Sequence, residues 1–478
     1  MIKNPSEFFL ELQQNLPFIP TPKQLELLHI LSGFTFDQSL NKMLLIKGYA
    51  GTGKTSIISA FVNKLKFTHY KSVLLAPTGR AAKVISVYSN RPAFTIHKKI
   101  YFPKSQQHSK IDFILKTNKH RNTIFIVDES SMISDNSQDV GLYKNSVLDD
   151  LIDYVKEGRN CKLIFIGDTA QLPPVKLEVS PALHAEYLRN RFHKEIIEIE
   201  LKKVMRQHED SGILNNATWL RQCISNKMLG FRFNLNFPDI ELLTDRYDIE
   251  DAFVSAFDSE FLEDSICIVR SNKRANLYNQ QIRFSVLGLD NKLATGDLLM
   301  VVKNNYFWLE ANSEAGFIAN GDVCEVIRII DFNSIYGFEF AEVEVRMIDY
   351  PNMKPFETIV LLDTLDSDHP ALTYAQQSQL YEAVKEDYLE ERNRAKQFQL
   401  IKKNPFFNAL QVKFAYTLTC HKSQGGQWKT VFLEQPYLKD GPSIGYYRWL
   451  YTALTRAREK VYLLGFSDEF IANDYRKR

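Results

Sequence analysis

The sequence predicts an α/β protein with two parallel-sheet units and a small β-barrel inserted in the second. Short β-branched runs, each followed by a helical stretch, recur through residues 40–210 and predict the first parallel sheet. The alternation restarts at 264–283 and resumes over 411–465. Between these segments, alternating strands and turn signals in 295–365 predict a small antiparallel barrel. Residues 374–403, with apolar positions at helical spacing, predict one solvent-facing helix returning from it.

Composition narrows the class of protein. The 478 residues allow about two to four domains, and 45% hydrophobic with 24% charged residues excludes a disordered or fibrous chain. The apolar runs are shorter than the ~20 residues of a membrane helix, and the first residues lack the apolar core of a signal peptide. The five cysteines show no metal-binding spacing. We therefore expect a cytoplasmic protein without membrane contact.

The charge is nearly balanced, with 59 Lys and Arg against 57 Asp and Glu. Any binding site for a polyanion must therefore be a local patch. The best window is 98–121, where seven basic residues accompany a single acid, Asp112. From composition alone this window is either a solvated loop or a binding surface.

The strongest motif is Gly48-Tyr49-Ala50-Gly51-Thr52-Gly53-Lys54-Thr55, which fills the GxxxxGK[ST] pattern between a strand and a helix. In such a loop the glycines let backbone N–H groups surround phosphate oxygens at a helix N-terminus. Lysine reaches the β- and γ-phosphates and threonine ligates Mg²⁺. The motif predicts binding of ATP or GTP, and its alternative is a plain glycine-rich turn. The predicted nucleotide-binding residues here are Gly48, Gly51, Thr52, Gly53, Lys54 and Thr55.

A pair of acidic residues, Asp128 and Glu129, follows the apolar strand 123–127. Because they directly follow a strand of a parallel sheet, both carboxylates are predicted at the carboxyl edge of the sheet, beside the phosphate loop. An aspartate there can hold Mg²⁺, and a glutamate can orient and deprotonate the attacking water. The alternative is a helix N-cap. The pair predicts a nucleotide hydrolase.

The next strand ends in GDTAQLPPV, residues 167–175, and with this element the chain resembles the superfamily 1 helicases. Further elements occur in the family order through most of the chain. They are TPKQ at 21–24, LLAPTGRAAK at 74–83, TIH at 95–97, VMRQ at 204–207, VRSNKRANLYNQQIR at 269–283, FAYTLTCHKSQGGQW at 414–428 and YTALTRAR at 451–458.

Within that superfamily, APTGRAAK, TIHK, CHKSQG and ALTRA are closest to the RecD-like and Dda-like B subclass. The resemblance implies two RecA-like domains, with a β-hairpin pin (domain 1B) in the first and an SH3-like barrel (domain 2B) in the second. It places domain 1A at 1–210 with the pin at 98–121, domain 2A at 211–294 and 404–478, and domain 2B with its helical return at 295–403.

The resemblance also implies roles for residues of the nucleotide site. Gln24 would read adenine, Gln171 would sense the γ-phosphate, and Arg206 and Arg456 would act as arginine fingers. Without the motif, Arg456 would be a solvated arginine on a charged helix. After HKSQG the family commonly has a small residue and a ribose-binding glutamate, where this chain has Gly426 and Gln427. The implied catalytic set is Lys54, Glu129, Gln171, Arg206 and Arg456, with Thr55 and Asp128 as Mg²⁺ ligands.

Contacts to single-stranded DNA are implied for six residues, mostly through phosphates. They are Thr78, Arg80, Thr95, His97, Thr419 and His421, with Lys98 and Lys422 as weaker choices. The alternatives are strand caps at Thr95 and Thr419 and satisfied core positions at the two histidines. The aromatic residues Phe94, Tyr101 and Phe102 are expected in the core, with stacking on bases as the alternative.

The sequence thus predicts an ATP-dependent DNA helicase that uses Mg²⁺, moves 5′ to 3′ on single-stranded DNA and unwinds tailed or forked duplexes. A monomer is expected, and the motifs identify no replication or repair partner. Two alternatives stay open. One is an RNA helicase of the same subclass, and the other is a nucleic-acid-stimulated ATPase that remodels protein–DNA complexes without unwinding.

Overall fold

The computed structural model describes residues 2–105, 111–135, 146–204, 211–257, 262–310 and 313–472. The described residues divide into two compact units. The first comprises residues up to 204 together with 444–451, and the second comprises 211–443 and 452–472. In the described ranges, no helix has the length and apolar character needed to cross a membrane.

The first unit is built on a six-stranded parallel sheet. Its helices and strands are α1 (Pro5–Gln14), α2 (Pro22–Phe36), β1 (Lys42–Gly48), α3 (Lys54–Leu65), β2 (Lys71–Ala76), α4 (Gly79–Ser89), β3 (Ala93–Thr95), α5 (Ile96–Ile100), β4 (Tyr101–Ser105), β5 (Ile111–Leu115), β6 (Arg121–Val127), α6 (Val147–Glu157), β7 (Arg159–Gly167), α7 (Ala185–Phe192) and β8 (Glu195–Leu201). The strand order is β3-β2-β6-β7-β1-β8. Every neighbouring pair is parallel.

Both faces of this sheet are buried, as the continuous apolar runs of its strands require. Ile46 and Ile164 belong to the core cluster that includes residues of α1, α2 and α3. Phe125 and Phe165 belong to a second cluster, which includes residues of α6 and α7. The carboxyl ends of β1, β6 and β7 therefore meet at one edge, where the sequence places its chemical motifs.

The strands β4 and β5 form a separate antiparallel hairpin, with Tyr101 opposite Leu115. It occupies the basic window 98–121, so the predicted hairpin insertion is confirmed. Residues 106–110 between the two strands lie outside the described part of the chain.

The second unit holds a five-stranded parallel sheet and a closed barrel. Its elements are α8 (Gly212–Asn226), β9 (Ile240–Leu243), α9 (Arg246–Phe257), β10 (Ser265–Val269), α10 (Asn272–Gln281), β11 (Leu298–Val301), β12 (Val323–Ile335), β13 (Phe338–Met347), β14 (Phe356–Leu361), α11 (Tyr374–Glu386), α12 (Arg394–Lys403), β15 (Leu410–Phe414), β16 (Thr417–Thr419), β17 (Trp428–Glu434), α13 (Ile444–Leu454) and β18 (Ala457–Leu464). The sheet order is β16-β10-β17-β18-β9.

The barrel closes through β11-β12-β13-β14-β15. Its pairs are antiparallel except β14 with β15, which run parallel. The predicted fold class, two parallel sheets with a hairpin in the first unit and a barrel in the second, is confirmed. Strand β15 belongs to the barrel, although it lies in 404–478, the range predicted for domain 2A, and not in the range 295–403 predicted for the barrel and its return segment. The domain bounds as a set stay a prediction.

The return segment 374–403 differs from the prediction of one solvent-facing helix. It forms two helices, α11 and α12, because the chain leaves helical geometry after Glu386 and restarts where Asn393 caps α12. The Oδ1 atom of Asn393 accepts hydrogen bonds from the N–H groups of Ala395 and Lys396. Both helices bury apolar residues, among them Val384 and Ile401, in the cluster they share with the barrel.

Candidate active site

The loop between β1 and α3 has the backbone geometry that the glycine-rich motif predicts. Gly51 and Gly53 lie in the left-handed region, with φ of 77° and 82°. A Cβ at Gly48 would lie 3.0 Å from the Thr52 hydroxyl and 3.1 Å from the Leu201 Cβ. Gly53 is the N-cap of α3, so the free N–H groups in the first turn of that helix border the loop. This arrangement fits a nucleotide phosphate group.

The Lys54 ammonium lies against the same loop. Its Nζ donates to the carbonyl oxygens of Gly48, at 2.5 Å, and Tyr49, at 2.7 Å. The Thr52 hydroxyl also donates to the Tyr49 carbonyl, at 2.8 Å. Thr55 occupies the second position of α3 and is partly buried. Both side chains are therefore held at the helix N-terminus where phosphate oxygens would bind.

Gln24, on α2, braces the phosphate loop. It is buried, its Nε2 donates to the Thr52 carbonyl at 3.0 Å, and its Oε1 accepts from the Thr21 N–H at 2.8 Å. A Cβ at Gly53 would lie 2.8 Å from that Nε2. The described contacts of this amide are thus with the protein, and the predicted reading of adenine stays a prediction.

Asp128 and Glu129 follow β6 at the same sheet edge. The Asp128 N–H donates to the Leu75 carbonyl at 2.9 Å, and its Oδ1 accepts from the Glu129 N–H at 2.9 Å. Burial raises the pKa of the Asp128 carboxyl, while that N–H group and the Lys54 charge act in the opposite direction. The positive charge of Lys54 therefore acts on the Asp128 carboxyl.

Glu129 has a φ of 50°, which is rare for a residue other than glycine. It precedes the short 3₁₀ helix Ser130–Met132, and its side chain makes no capping hydrogen bond. Backbone strain of this kind clusters at functional sites. A role as helix N-cap, the alternative for this acidic pair, therefore does not explain why a glutamate side chain stands at this position.

Asp168, which the sequence reasoning missed, is the centre of a buried network beside the phosphate loop. Its carboxylate accepts from the Ala50 N–H at 3.1 Å, the Ala170 N–H at 2.9 Å and the Tyr451 hydroxyl at 2.6 Å. The Tyr451 oxygen also accepts from the Ala50 N–H at 3.1 Å. Arg448, one turn earlier on α13, donates to the Thr169 carbonyl. Asp168 directly follows β7, as Asp128 follows β6. This position at a strand end is the sequence signal that could have identified Asp168.

Gln171 is buried, with 5% of its surface exposed, next to this network. Its Oε1 is buried without a hydrogen-bond partner among the described residues. An unpaired buried acceptor is costly in a folded protein, so such an atom calls for a functional explanation.

The remaining predicted nucleotide residues lie in the second unit or outside the described ranges. Arg456 is buried, and its guanidinium donates to the carbonyls of Thr452, at 2.9 Å, and Gly426, at 3.2 Å. The alternative of a solvated arginine is therefore wrong. Gln427 is exposed, next to Gly426. Arg206 lies outside the described residues.

The predicted DNA contacts of the first unit lie at helix starts. The Thr78 hydroxyl caps α4 by accepting from the Ala81 N–H, and the Thr95 hydroxyl caps α5 by accepting from the Lys98 N–H, both at 3.2 Å. Arg80, in the first turn of α4, is partly buried. Burial lowers the pKa of His97 to about 4, so this histidine is neutral at pH 7.

The predicted contacts of the second unit follow β16. Thr419 ends that strand and is partly buried, whereas His421 is exposed, so the core alternative is wrong for this histidine. Partial desolvation and the Arg270 charge lower the pKa of His421. Partial burial also lowers the pKa of Lys422 to about 8.

The aromatic residues of the basic window divide between core and surface. Tyr101 is buried and its hydroxyl donates to Asp150 at 2.8 Å, as expected for a core residue. Phe102 is 60% exposed, and the Lys116 ammonium lies 4.7 Å from the centre of its ring. The expectation of a core position is therefore wrong for Phe102, whose ring is available for stacking.

The described residues contain no group of three or more His, Cys, Asp and Glu that could hold a metal by themselves. A divalent cation at Thr55 and Asp128 would need further oxygen ligands, which phosphate oxygens and water supply.

Comparison with known proteins points to one family. Residues 35–177 match the AAA domain family, and residues 414–464 match the UvrD-like helicase C-terminal domain family. Protein MJ1519 of Methanocaldococcus jannaschii is 23% identical, over 89% of this chain and 36% of its own length. The ATP-dependent DNA helicase Dda of Enterobacteria phage T4 is 26% identical, over 54% of this chain and 55% of its own.

A solved structure shares the fold. The Bacteroides Pif1 helicase in complex with ADP-AlF3 and single-stranded DNA aligns with a TM-score of 0.51 and 15% identity, over 96% of each chain. At this identity the likeness concerns the fold.

Phosphate loop, acidic strand end and buried glutamine together form a site of the P-loop type, which suits a nucleoside triphosphate. The chain is similar to the superfamily 1 helicases of the RecD-like and Dda-like type, as the two domain matches and the phage T4 helicase indicate. The resemblance drawn from its motifs is confirmed.

Proposed function

We propose that this helicase uses ATP hydrolysis to move 5′ to 3′ along single-stranded DNA and to separate tailed or forked duplexes. The observation that carries the proposal is the carboxyl edge of the first sheet, where the phosphate loop with Lys54 follows β1 and Asp128 follows β6. Gln171, with its unpaired amide oxygen, follows the next strand at that edge. The direction of movement is inferred from the B-subclass motifs.

In this proposal the first unit supplies most of the hydrolytic groups. Lys54 and the N–H groups at the start of α3 hold the β- and γ-phosphates. Thr55 and Asp128 hold Mg²⁺, which neutralises phosphate charge when bound. Glu129 takes the proton of the attacking water. The Oε1 atom of Gln171, which has no partner among the described residues, accepts a hydrogen bond from that water.

Other residues complete the nucleotide site. Arg206 and Arg456 meet the charge that develops on the transferred phosphoryl group. Gln24 contacts the adenine, and Gln427 bonds a ribose hydroxyl without contributing charge. A guanidinium has five N–H donors, and the described bonds of Arg456, to carbonyl and hydroxyl oxygens, use three of them, which leaves two for a phosphate.

The DNA contacts follow from hydrogen-bond capacity. A hydroxyl that accepts a capping bond can still donate its own hydrogen, so Thr78 and Thr95 can cap their helices and bind phosphate oxygens together. Arg80 adds a charge, and neutral His97 adds an N–H donor. We assign the same function to Thr419 and His421. Such contacts do not read bases, as a translocating enzyme requires.

The test is strand separation by the purified chain on two partial duplexes, one with a 5′ tail and one with a 3′ tail, with ATP and Mg²⁺. We expect separation of the 5′-tailed duplex alone. It should be lost in Lys54→Ala and kept in Lys66→Ala, a matched change at the exposed C-cap of the same helix.

Other outcomes would redirect the proposal. Separation of the 3′-tailed duplex alone would overturn the direction. ATP hydrolysis stimulated by DNA without strand separation would favour the remodelling ATPase. Preference for RNA-tailed over DNA-tailed duplexes would favour the RNA helicase.

A further inference from the structure

Strand β16 ends in Thr419, one of the proposed DNA contacts. The strand has three residues and lies first in the sheet order β16-β10-β17-β18-β9, so within the sheet it pairs with β10 alone. Thr417 lies opposite Cys267, and Thr419 lies opposite Val269. A three-residue strand that is paired on one side makes few ladder hydrogen bonds. The position of Thr419 therefore depends on what else stabilises the start of β16.

The outer edge of β16 is paired by a side chain, the amide of Asn279 on α10. The Cys267 N–H donates to the Tyr416 carbonyl at 3.0 Å, which in a parallel ladder turns the N–H and C=O groups of Thr417 away from β10. Asn279 bonds both groups. Its Oδ1 accepts from the Thr417 N–H at 2.7 Å, and its Nδ2 donates to the Thr417 carbonyl at 3.2 Å. The amide thus takes the place of a neighbouring strand.

The same amide contacts the end of the barrel. Its Nδ2 also donates to the carbonyl of Phe414, the last residue of β15, at 3.3 Å. Only Ala415 and Tyr416 separate β15 from β16. With two donors and one acceptor in use, Asn279 fixes the point where the chain passes from the barrel into the sheet.

These hydrogen bonds lie in the protein interior. Asn279 is 3% exposed and Thr417 is 1% exposed. A buried backbone group that loses its partner has no water to replace it, so its loss is costly. Without the amide, two groups of Thr417 and the carbonyl of Phe414 would lose a partner. We expect the start of β16 to shift in response, and Thr419, two residues further on, to shift with it.

We propose that Asn279 is a positioning residue for single-stranded DNA, because it sets the place of Thr419 at the end of β16. Thr419 is taken as a DNA contact from the proposed function, on which this inference rests. Asn279 is too deeply buried to contact DNA itself. Its effect on DNA binding therefore passes through β16.

The chain offers a matched control in Asn216 of α8, which is 1% exposed. Its Oδ1 accepts from the Asn234 N–H at 2.8 Å, and its Nδ2 donates to the carbonyls of Asn234 and Gly212, at 2.9 and 2.8 Å. This is the bonding pattern of Asn279. Asn234, however, precedes β9, the strand at the opposite edge of the sheet from β16. Asn216→Ala therefore removes equivalent bonds away from the proposed DNA contacts.

The first measurement is the Kd for a labelled single-stranded oligonucleotide, by fluorescence anisotropy. Asn279→Ala should raise it about tenfold, which corresponds to the loss of one hydrogen bond to a charged phosphate. Asn216→Ala should leave it unchanged, although both variants should lower the urea midpoint of unfolding to a similar extent. If Asn279→Ala is too unstable to assay, Asn279→Asp replaces it. That variant keeps the acceptor for the Thr417 N–H, loses both donors, and should also weaken binding.

A double-mutant cycle separates positioning from a merely structural role. Thr419→Val should itself raise the Kd about tenfold, and adding Asn279→Ala should then change it less than twofold, because the contact that Asn279 positions is already lost. Independent losses, about a hundredfold together, would overturn the inference. So would normal DNA binding by the Asn279 variant, or an equal loss in Asn216→Ala. Unchanged affinity in Thr419→Val would overturn the proposed DNA contact and, with it, the inference.

Discussion

The side chain of Gln171 is expected to lower the stability of the fold and to support ATP hydrolysis. Its buried Oε1 has no hydrogen-bond partner in the part of the chain that the structure describes, and an unpaired buried acceptor costs about 1–3 kcal/mol. Gln171→Met keeps the length of the side chain and removes the polar atoms. We expect the free energy of unfolding to rise by about 1 kcal/mol and the ATPase kcat to fall about 100-fold, the usual cost of one polar group at a reacting centre. Denaturant unfolding and steady-state ATP hydrolysis measure the two effects.

Gln411 provides the matched control for that change. It is also buried, but its Oε1 accepts from the Leu372 N–H at 3.0 Å. Gln411→Met should therefore lower stability and leave the ATPase rate intact. A Gln171→Met variant that is as active as the unchanged protein would remove Gln171 from the hydrolytic machinery.

At the residue scale, local backbone chemistry was predictable and side-chain partnership was not. Gly51 and Gly53 adopt the left-handed conformations that the motif implies, because glycine alone populates them freely. The link between Asp168 and Tyr451 joins residues 283 positions apart, so no local pattern announces it. Thr95 was expected, if not at DNA, to cap a strand, whereas Thr78 and Thr95 both cap helices, and the same hydroxyl can cap a helix and bind phosphate.

On the β4–β5 hairpin the ring of Phe102 is exposed, with Lys116 beside it. If the hairpin parts the duplex, Phe102→Ser should slow strand separation about tenfold, because stacking of a base on an aromatic ring contributes roughly 1–3 kcal/mol. ATP hydrolysis on single-stranded DNA should not change. Phe332→Ser alters a similarly exposed phenylalanine on the β12–β13 hairpin and should leave both rates unchanged. A Phe102→Ser variant that unwinds at the normal rate would exclude this ring as the wedge.

A buried ion pair joins the barrel to the turn after α10. Asp297 is fully buried and accepts from Arg283 at 2.7 and 2.9 Å, and from the Ala294 N–H at 2.7 Å. Asp297→Asn should lower the free energy of unfolding by about 3–5 kcal/mol, because Arg283 then remains charged and buried. The exposed pair of Arg328 with Glu344 is the control, and Glu344→Gln should cost less than about 1 kcal/mol. Denaturant unfolding compares the two, and equal losses would contradict the argument.

At the element scale, the types of strand and helix were predictable but some partners were not. Strand β15 has the same apolar run as a strand of a parallel sheet, and it is followed by β16 of that sheet, yet it pairs with β11 and β14 of the barrel. Periodicity gives the faces of a strand and does not give its neighbours. The segment 374–403 kept its helical period through the break, so the cap at Asn393 was the only local signal of two helices.

The near-neutral charge of the whole molecule leads to a prediction about salt. Among the six proposed DNA contacts, Arg80 is the permanent cation, three are threonines, and His97 and His421 are neutral at pH 7.5 because their pKa values are lowered. Few counterions should therefore leave the DNA on binding. We expect log Kd for single-stranded DNA to vary with log salt with a slope of about 1, given ~0.7 per phosphate neutralised.

Fluorescence anisotropy of a labelled oligonucleotide, titrated at several KCl concentrations at pH 7.5, measures that slope. Arg80→Ala should reduce it by about 0.7, whereas Thr78→Val should weaken binding with no change in slope, because a hydroxyl displaces no counterion. A slope of about 3 or more would mean that four or more cations reach phosphates. The lysines of the hairpin window would then be the binding surface, and the hydroxyl-based contacts proposed for this protein would be secondary to it.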